Sequence, residues 1–118
     1  MRTDVPRVLI EELRAKHLRM MGNLVGLKRQ EPFAPGVEDD GYVARDVPAR
    51  ITAGYGTFRD VADRFGGVTP YTVTVPYDQD VRPGDRWIDE DGNVFNVLDV
   101  RLIGTWHVAN VSLCDWVH

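Results

Sequence analysis

Cysteine is nearly absent from the sequence, since Cys114 is the only one. A lone cysteine excludes an internal disulfide and suits a reducing compartment, and we expect it to be a small buried residue rather than a nucleophile. No run of about 18 apolar residues exists, so no membrane span is expected. Charges occur throughout the first 20 residues, which lack the apolar stretch of a signal peptide, so we expect no export by that route.

The short motifs of common enzymes and metal sites are also missing. The histidines, His17, His107 and His118, do not pair at metal-ligand spacing, and there is no HExxH or CxxC. No GxSxG elbow, P-loop lysine or GxGxxG occurs. Acidic clusters at 38–40 and 89–91 lack the spacing of an EF-hand loop. We therefore expect no metal, no cofactor and no enzymatic activity.

Charge is distributed unevenly along the chain. Residues 1–30 contain seven basic and three acidic side chains, whereas the other 88 residues contain seven basic and fifteen acidic ones. A basic end on an acidic body indicates docking to a protein of complementary charge, or contact with phosphate. A solvated amphipathic helix would explain the basic end equally well.

The basic end predicts one amphipathic helix over residues 4–21. Thr3 or Asp4 can cap it, and Gly22 is a plausible stop. Its apolar stripe has spacings of three and four and consists of Leu9, Ile10, Leu13, His17, Met20 and Met21. This stripe can pack on the same domain or on a neighbouring protein, and the sequence does not decide between them.

Alternating apolar residues predict strands over most of the remaining chain, in residues 24–53 and 70–117. A Pro83-Gly84 turn and an Asp91-Gly92 hairpin turn separate the later strands. In the strand that follows the hairpin turn, Val94, Leu98, Val100 and Leu102 are expected on one face. The whole chain, 1–118, is predicted to be a single mainly β domain. Five to six strands form a small antiparallel β-barrel or sandwich, with the N-terminal helix and one long inter-strand loop.

That long loop comprises residues 54–69 and is longer than a hairpin connection requires. Thr57 can cap one or two helical turns, with Phe58, Val61, Ala62 and Phe65 on one side. Glycines at both ends would let the segment move as a flap. We expect an interaction loop rather than a packed connection, because aromatic and arginine side chains are common interface anchors. The predicted contact residues are Tyr55, Phe58, Arg59, Asp63, Arg64 and Phe65.

Three tryptophans are the only support for a small nucleic-acid-binding β-barrel. Trp87, Trp106 and Trp116, together with Tyr55, could stack on bases. The strand region is acidic, however, and affinity for nucleic acid comes mostly from basic side chains on phosphates. Tryptophans in strands are also more often core or interface residues.

Several strand and turn segments form an ordered set along the chain: VPARI at 47–51, YTVTVPY at 71–77, DVRPGDR at 80–86, DGNVFNV at 91–97 and the strand ending at Leu113-Cys114. They comprise a strand entering a polar loop, a Gly-Asp turn, a DGxxFxV hairpin and a closing strand. Together they resemble the small head–tail joining proteins of tailed phages, of the head-completion or stopper class. The resemblance covers about residues 45–115 and is mostly turn chemistry.

The resemblance implies a non-enzymatic ring subunit, a dodecamer or hexamer, located at the head–tail junction of the virion and made in the host cytoplasm. Its partners would be copies of itself, the portal or adaptor protein, and a tail terminator or tail tube protein. Inserted loops in such rings face the channel or the next subunit and help to retain packaged double-stranded DNA, without membrane contact. The basic helix would dock to an acidic neighbour through Arg7, Arg14, Lys16 and Arg19. A tail terminator or tail-completion ring remains an alternative.

Overall fold

The structure is a computed structural model that describes residues 7–29, 41–104 and 108–117. In these residues one α-helix comes first and six strands follow. A 3-10 helical segment at Gly56–Phe65, kinked at Phe58 and here called the insertion helix, lies between the second and third strands. No helix in the described ranges has the length and apolar character needed to span a bilayer. The elements are α1 Arg7–Arg19, β1 Asn23–Lys28, β2 Tyr42–Ala53, β3 Pro70–Pro76, β4 Arg86–Ile88, β5 Val94–Ile103 and β6 Ala109–Val117.

The six strands close into an antiparallel barrel in the order β1-β2-β3-β6-β5-β4, and β4 pairs with β1 to complete it. The sequence prediction of a small antiparallel barrel or sandwich with a leading helix is therefore confirmed, and of the two it is the barrel that forms. The long strand β2 makes closure possible because it pairs with β1 up to Ala49 and with β3 over Arg50–Ala53.

One residue of β2 has an unusual backbone conformation. Asp46 has φ 53°, in the left-handed region that residues other than glycine rarely adopt. Between the pairs Val25–Val47 and Leu27–Ala44, β2 contains one residue more than β1. This is a β-bulge, and bulges increase the local twist of a strand. The bulge thus helps β2 to turn from one partner strand to the other.

The barrel interior is filled by alternate residues of all six strands. Trp87, the largest fully buried side chain, donates its indole N–H to Ser112 Oγ at 2.9 Å, so the polar atom of this ring has a partner. The Ser112 hydroxyl in turn lies 3.3 Å from the Val73 carbonyl. The buried residues of this inner cluster are Val25, Leu27, Val47, Ala49, Val73, Val75, Val81, Trp87, Phe95, Val97 and Cys114.

The predicted turns occur where expected. Gly92 has φ 84° and Gly84 has φ 94°, and glycine is the residue that adopts such positive φ values at low energetic cost. The Asp89 carboxylate accepts the backbone N–H groups of Asp91 and Asn93 at 3.0 and 2.8 Å, which fastens the β4–β5 hairpin. The acidic cluster at 89–91 is thus partly explained as turn chemistry, whereas the cluster at 38–40 lies outside the described residues.

The face assignment for β5 was wrong. Leu98 packs on the outside of the sheet as predicted, but Val100 packs on the inner cluster together with Phe95 and Val97, not on the face of Leu98. The reason is a bulge in β5: Val97 and Asp99 on β5 pair with Cys114 and Leu113, which are adjacent on β6. One additional residue reverses the inside–outside alternation for the rest of the strand.

Helix α1 is shorter than predicted within the described residues, since it ends at Arg19 and residues 1–6 lie outside them. Of the predicted apolar stripe, Ile10, Leu13, His17 and Met21 are half-buried, while Leu9 and Met20 are exposed. The helix meets the barrel at β3. Its stripe is therefore only partly covered in the single chain.

Candidate interaction surfaces

The insertion helix packs against the outside of the barrel. Phe58 is fully buried and contacts Val111 and Leu113, which point outward from β6. This outer cluster forms because β6 is apolar on both faces, so its outward face needs a cover. The half-buried residues that complete it are Tyr55, Val61, Phe65, Leu98 and Ile103.

An ion pair fastens the insertion helix to β5. Arg101 bonds both carboxylate oxygens of Asp60, at 2.9 and 3.0 Å, and also donates to the Thr57 carbonyl at 2.8 Å. Its guanidinium carbon lies 4.7 Å from the centroid of the Phe58 ring. The hydrogen bond from Arg101 lowers the pKa of the Asp60 carboxyl from its ordinary value. Arg101 therefore links the insertion to the sheet through three separate contacts.

Both ends of the insertion are hydrogen-bonded to the barrel. Gly54 donates to the Pro70 carbonyl at 3.0 Å, and the Thr72 hydroxyl donates to the Gly54 carbonyl at 2.9 Å. At the other end the Thr69 N–H donates to Asp115 at 2.9 Å. The segment is therefore held on the barrel at both ends, and the expectation that it is an interaction loop stays a prediction for its exposed side.

The six predicted contact residues of the insertion divide into three groups. Arg59, Asp63 and Arg64 are exposed, and Tyr55 and Phe65 are half-buried. For Phe58 the prediction was wrong, because its ring is covered by β6 and has no exposed surface for a neighbour to contact.

The predicted helix cap is also corrected. Thr57 lies inside the insertion helix, whose first turn begins after Tyr55 with no side-chain cap. The Phe58 N–H bonds the Tyr55 carbonyl at 3.0 Å instead, so a backbone contact closes this turn. Helical structure between residues 57 and 64 was correctly predicted, and the structure shows that it is of the 3-10 type.

Helix α1 meets the end of β3 through an arginine and a tyrosine. The Arg14 guanidinium carbon lies 3.5 Å from the centroid of the Tyr77 ring, the geometry of a cation–π contact. Beside it is an apolar groove with a volume of about 270 Å³. The groove is lined by Arg14, Ala15, Leu18, Met21, Pro76, Tyr77 and Val108.

The predicted docking residues of α1 differ in exposure. Lys16 and Arg19 are exposed, whereas Arg14 is half-buried against Tyr77. The side chain of Arg7 lies outside what the structure describes. Two exposed cations therefore flank Leu18, which is itself 47% exposed.

A buried ion pair at the end of β1 was not foreseen. Arg29 bonds both carboxylate oxygens of Asp85 at 2.9 Å, and the Asp85 side chain is only 3% exposed. Asp85 also accepts the Arg82 backbone N–H at 2.8 Å, and Asp80 lies 3.6 Å from Arg29. The pair joins positions 56 residues apart. A local sequence pattern gives no signal for such a contact.

A second depression, of about 290 Å³, lies between β1, β2 and the β4–β5 turn and is lined by both apolar and charged side chains. Here the Tyr42 ring lies over Gly26, where a Cβ would clash with the ring. Lys28 and Arg45 lie 4.6 and 4.0 Å from the centroid of that ring. A side chain at position 26 would therefore require the Tyr42 ring to move.

Of the side chains considered for chemistry, Cys114 and His17 lie in the described residues. Burial raises the pKa of the Cys114 thiol to about 12, so the thiol stays protonated at neutral pH. His107 and His118 lie outside the described residues, and His17 is half-buried on α1. Within those ranges, no three His, Cys, Asp or Glu side chains are grouped so that they could hold a metal ion.

Two of the three tryptophans lie in the described residues, and they differ in exposure. Trp87 is fully buried, which corrects its predicted availability to bases. Trp116 is half-buried and meets the Tyr71 ring edge-on at 6.0 Å, and Trp106 lies outside the described residues. The case for a nucleic-acid-binding barrel therefore loses Trp87.

Comparison with known proteins identifies no relative: no protein-family model matches the chain, and no curated protein sequence matches it significantly. What the protein does must therefore be inferred from its own residues, its barrel and the surfaces described above.

Proposed function

We propose that the protein is a ring subunit of the head–tail connector of a tailed phage, which joins the portal or adaptor to the tail and helps to retain packaged DNA. One observation supports the proposal: the strands close into a small antiparallel barrel with a segment inserted between β2 and β3, and a small barrel with inserted loops is what the sequence resemblance implies. The resembling turn motifs follow one another along this barrel from β3 to β5.

The exposed rim of the insertion helix is the first proposed contact surface. Arg59, Asp63 and Arg64 are exposed there, while the buried Phe58 anchors the segment. A rigidly held surface binds at a lower entropic cost than a mobile loop. We assign this rim to the channel or to the neighbouring subunit in the ring.

Charge reversal tests the rim without disturbing its anchor. Because both arginines are exposed, the double variant Arg59→Glu, Arg64→Glu should keep the barrel fold and reduce attachment to phage heads. The matched control is Arg59→Lys, Arg64→Lys, which keeps the charge and should attach normally. Normal attachment of the glutamate variant would remove this rim from the contact surface.

The basic helix is the second proposed contact surface, and it would dock to an acidic portal, adaptor or tail protein. Lys16 and Arg19 are exposed beside the partly exposed Leu18. Attraction between exposed charges is screened by salt, so docking through this surface should weaken as ionic strength rises.

The same helix supplies its own control. Lys16→Glu with Arg19→Glu should lower the yield of completed heads, most of all at low salt. Glu11→Lys with Glu12→Lys makes an equal change of opposite sign on exposed positions of α1 and should not lower the yield. Equal yields for the two double variants would refute docking through these cations.

The decisive experiment for the proposal mixes the purified chain with tailless, DNA-filled heads and images the products by electron cryomicroscopy. A ring of added density at the portal vertex is the expected result, and it would also reveal the ring symmetry. Binding to isolated tails but not to heads would instead indicate a tail terminator or tail-completion ring.

Binding to neither heads nor tails would overturn the phage-connector proposal. A filter-binding assay with single-stranded DNA would then test the nucleic-acid-binding barrel. We expect no retention in that assay, because Trp87 is buried and the chain outside residues 1–30 is strongly acidic.

A further inference from the structure

Two like charges lie directly opposite each other where β1 pairs with β4. Lys28 on β1 and Arg86 on β4 are ladder partners, here called the cation pair. Each is next in the sequence to one member of the buried Arg29–Asp85 ion pair. One step along the strands, therefore, opposite charges are matched, whereas the cation pair joins like charges, which destabilises neighbouring strands.

The cation pair lies on the outer face of the barrel. Leu27 and Trp87 are fully buried in the inner cluster, and successive side chains of a strand point to opposite faces. Lys28 and Arg86 therefore point outward, and both residues are half-buried. Asn96 on β5, which is opposite Arg86, extends the row across a third strand on the same face.

No carboxylate among the described residues is within ion-pair distance of either cation. Lys28 lies 4.6 Å from the centroid of the Tyr42 ring, and the buried Nε of Arg86 has no hydrogen-bond partner in this part of the chain. In the same row, Asp115 is two strands from Arg86, about 10 Å at ordinary strand spacing. Its carboxylate accepts the Thr69 N–H instead. Because a buried N–H without an acceptor is costly, the cation pair calls for an external anionic group.

The depression between β1, β2 and the β4–β5 turn adjoins the cation pair. Its apolar lining includes Leu24, which is 49% exposed, Ile88 and the Tyr42 ring that lies over Gly26. Gly26 and Ile88 are ladder partners and form the next outward-facing pair beside the cation pair. An apolar hollow and two cations therefore lie side by side on one face of the barrel.

Other charges around the depression indicate which kind of anion fits. Asp46, Asp89 and Glu90 also line it, together with Arg45. The Asp89 carboxylate is bonded within the hairpin turn, and Glu90 accepts the Leu24 N–H. A nucleic-acid backbone, which carries a charge at every phosphate, would be repelled by these carboxylates. A protein segment, by contrast, can present one carboxylate to the cations and an apolar side chain to the hollow, a combination common at protein interfaces.

We propose that this face binds an acidic segment of another protein, with a carboxylate held between Lys28 and Arg86 and an apolar side chain beside the Tyr42 ring. An arginine guanidinium has two N–H groups in the geometry that a carboxylate accepts, and the lysine adds a second positive charge. Asn96, in the same row, adds an amide donor. The inference goes beyond the connector role, since neither α1 nor the insertion helix takes part, and binding can be measured without phage heads.

Nuclear magnetic resonance with the isotope-labelled chain tests the site directly. The probe is a synthetic peptide in which glutamates flank a leucine, and the control peptide has glutamine in place of every glutamate. The acidic peptide should shift the side-chain Nε–H signal of Arg86 and the backbone signals of Lys28, Tyr42 and Asn96. The control peptide and a short double-stranded DNA should leave these signals unchanged.

Removal of one cation should weaken binding of the acidic peptide. Arg86→Met keeps an apolar stem but removes the charge, and it should raise the dissociation constant by about tenfold or more, because the carboxylate loses its bidentate partner. The matched control is Arg50→Met, which removes an exposed cation of β2 that does not line the depression. It should leave the dissociation constant unchanged.

Thermal unfolding distinguishes a binding role of Arg86 from a structural one. Arg86→Met should raise the unfolding midpoint of the free chain by a few degrees, since it removes one of two opposed like charges. Arg29→Met, at the adjacent pair, should lower the midpoint strongly, because it leaves Asp85 buried without its partner. A clear loss of stability in Arg86→Met would show that this arginine serves the fold and would overturn the inference.

The peptide titration has further outcomes that would overturn the proposal. An unchanged Arg86 signal would do so, as would a shift caused by the DNA and not by the peptide. A signal that depends on protein concentration without peptide would make the partner a second copy of the chain. The variant Glu38→Gln, Asp39→Asn, Asp40→Asn should leave the Arg86 signal of the free chain in place. A shift in that variant would show that the chain supplies its own carboxylate, and the inference would fail.

Discussion

The two helical segments of this protein contrast in how they use their apolar residues. The insertion helix, Gly56–Phe65, buries Phe58 completely under β6, and Arg101 fastens it to β5. Helix α1 has the longer apolar stripe, yet Leu9 and Met20 of that stripe remain 42% and 48% exposed. Helical periodicity therefore does not decide which segment is packed. The deciding factor is whether the sheet offers an uncovered apolar face within reach of the segment.

The largest expected effect comes from removing the anchor of the better-packed segment. Phe58→Ala should lower the free energy of unfolding by about 3–5 kcal/mol, because it leaves a cavity between the insertion helix and the outward face of β6. Leu18→Ala on α1 should change it by no more than about 0.5 kcal/mol, since this side chain is half exposed. Urea unfolding followed by tryptophan fluorescence measures both, and equal losses would remove the contrast between the two helices.

A smaller effect is expected where α1 does contact the barrel. Arg14→Ala should cost about 0.5–2 kcal/mol, because the guanidinium lies over the Tyr77 ring and its stem lines the apolar groove. Lys16→Ala, two residues further along the helix and exposed, is the control and should be nearly neutral. A neutral Arg14→Ala in the same urea experiment would show that α1 gains nothing from this contact.

The clamp between Arg101 and Asp60 should matter less than either of these contacts, since it is exposed and screened by salt. The pKa of Asp60 is lowered in the folded state, so its contribution is present above the ordinary aspartate pKa and is lost as the pH falls through the lowered one. Asp60→Asn should therefore destabilise the protein slightly at neutral pH and hardly at all in strong acid. Thermal unfolding of both proteins across the acid range measures this, and a difference that does not depend on pH would contradict it.

The smallest expected effect at neutral pH concerns Cys114, on the inner face of the strand whose outer face is covered by the insertion helix. The folded-state pKa of about 12 lies above the ordinary value of 9.0, so the thiol is protonated in both states below pH 9 and does not alter stability there. Above pH 9 only the unfolded chain ionises, so the free energy of unfolding should fall as the pH rises towards 12.

Thiol labelling checks the same burial directly. In native buffer a chromogenic disulfide reagent should react with Cys114 only as fast as the protein unfolds, and in urea it should react at once. Fast labelling of the native protein would show that the inner cluster opens locally beneath β6.

How far the sequence could lead is clearest in β5 and β6. The alternation of residues was enough to place both strands, and Asp91-Gly92 was enough to place the hairpin turn before β5. The orientation of β5 beyond Leu98 was wrong, since a single bulge at Leu98 reverses the alternation. No local pattern marks this bulge, because it depends on the register with β6.

The candidate surfaces show the same limit. Arg59, Asp63 and Arg64 were chosen from composition and are exposed, but Phe58 was chosen on the same grounds and is buried. An aromatic ring serves equally well as an interface anchor or a core residue. Only the apolar outward face of β6 shows which role this ring has in the single chain.

By itself the sequence determined the local features of this protein: a leading amphipathic helix, strands of period two, glycine turns at Gly84 and Gly92, and a helical insertion between two strands. These depend on backbone sterics and on residue spacing within a few positions. Only the tertiary structure decided that the strands close into a barrel and that Arg29 pairs with Asp85. Those features arise from contacts between residues tens of positions apart, where register and packing, rather than local propensity, set the lowest free energy.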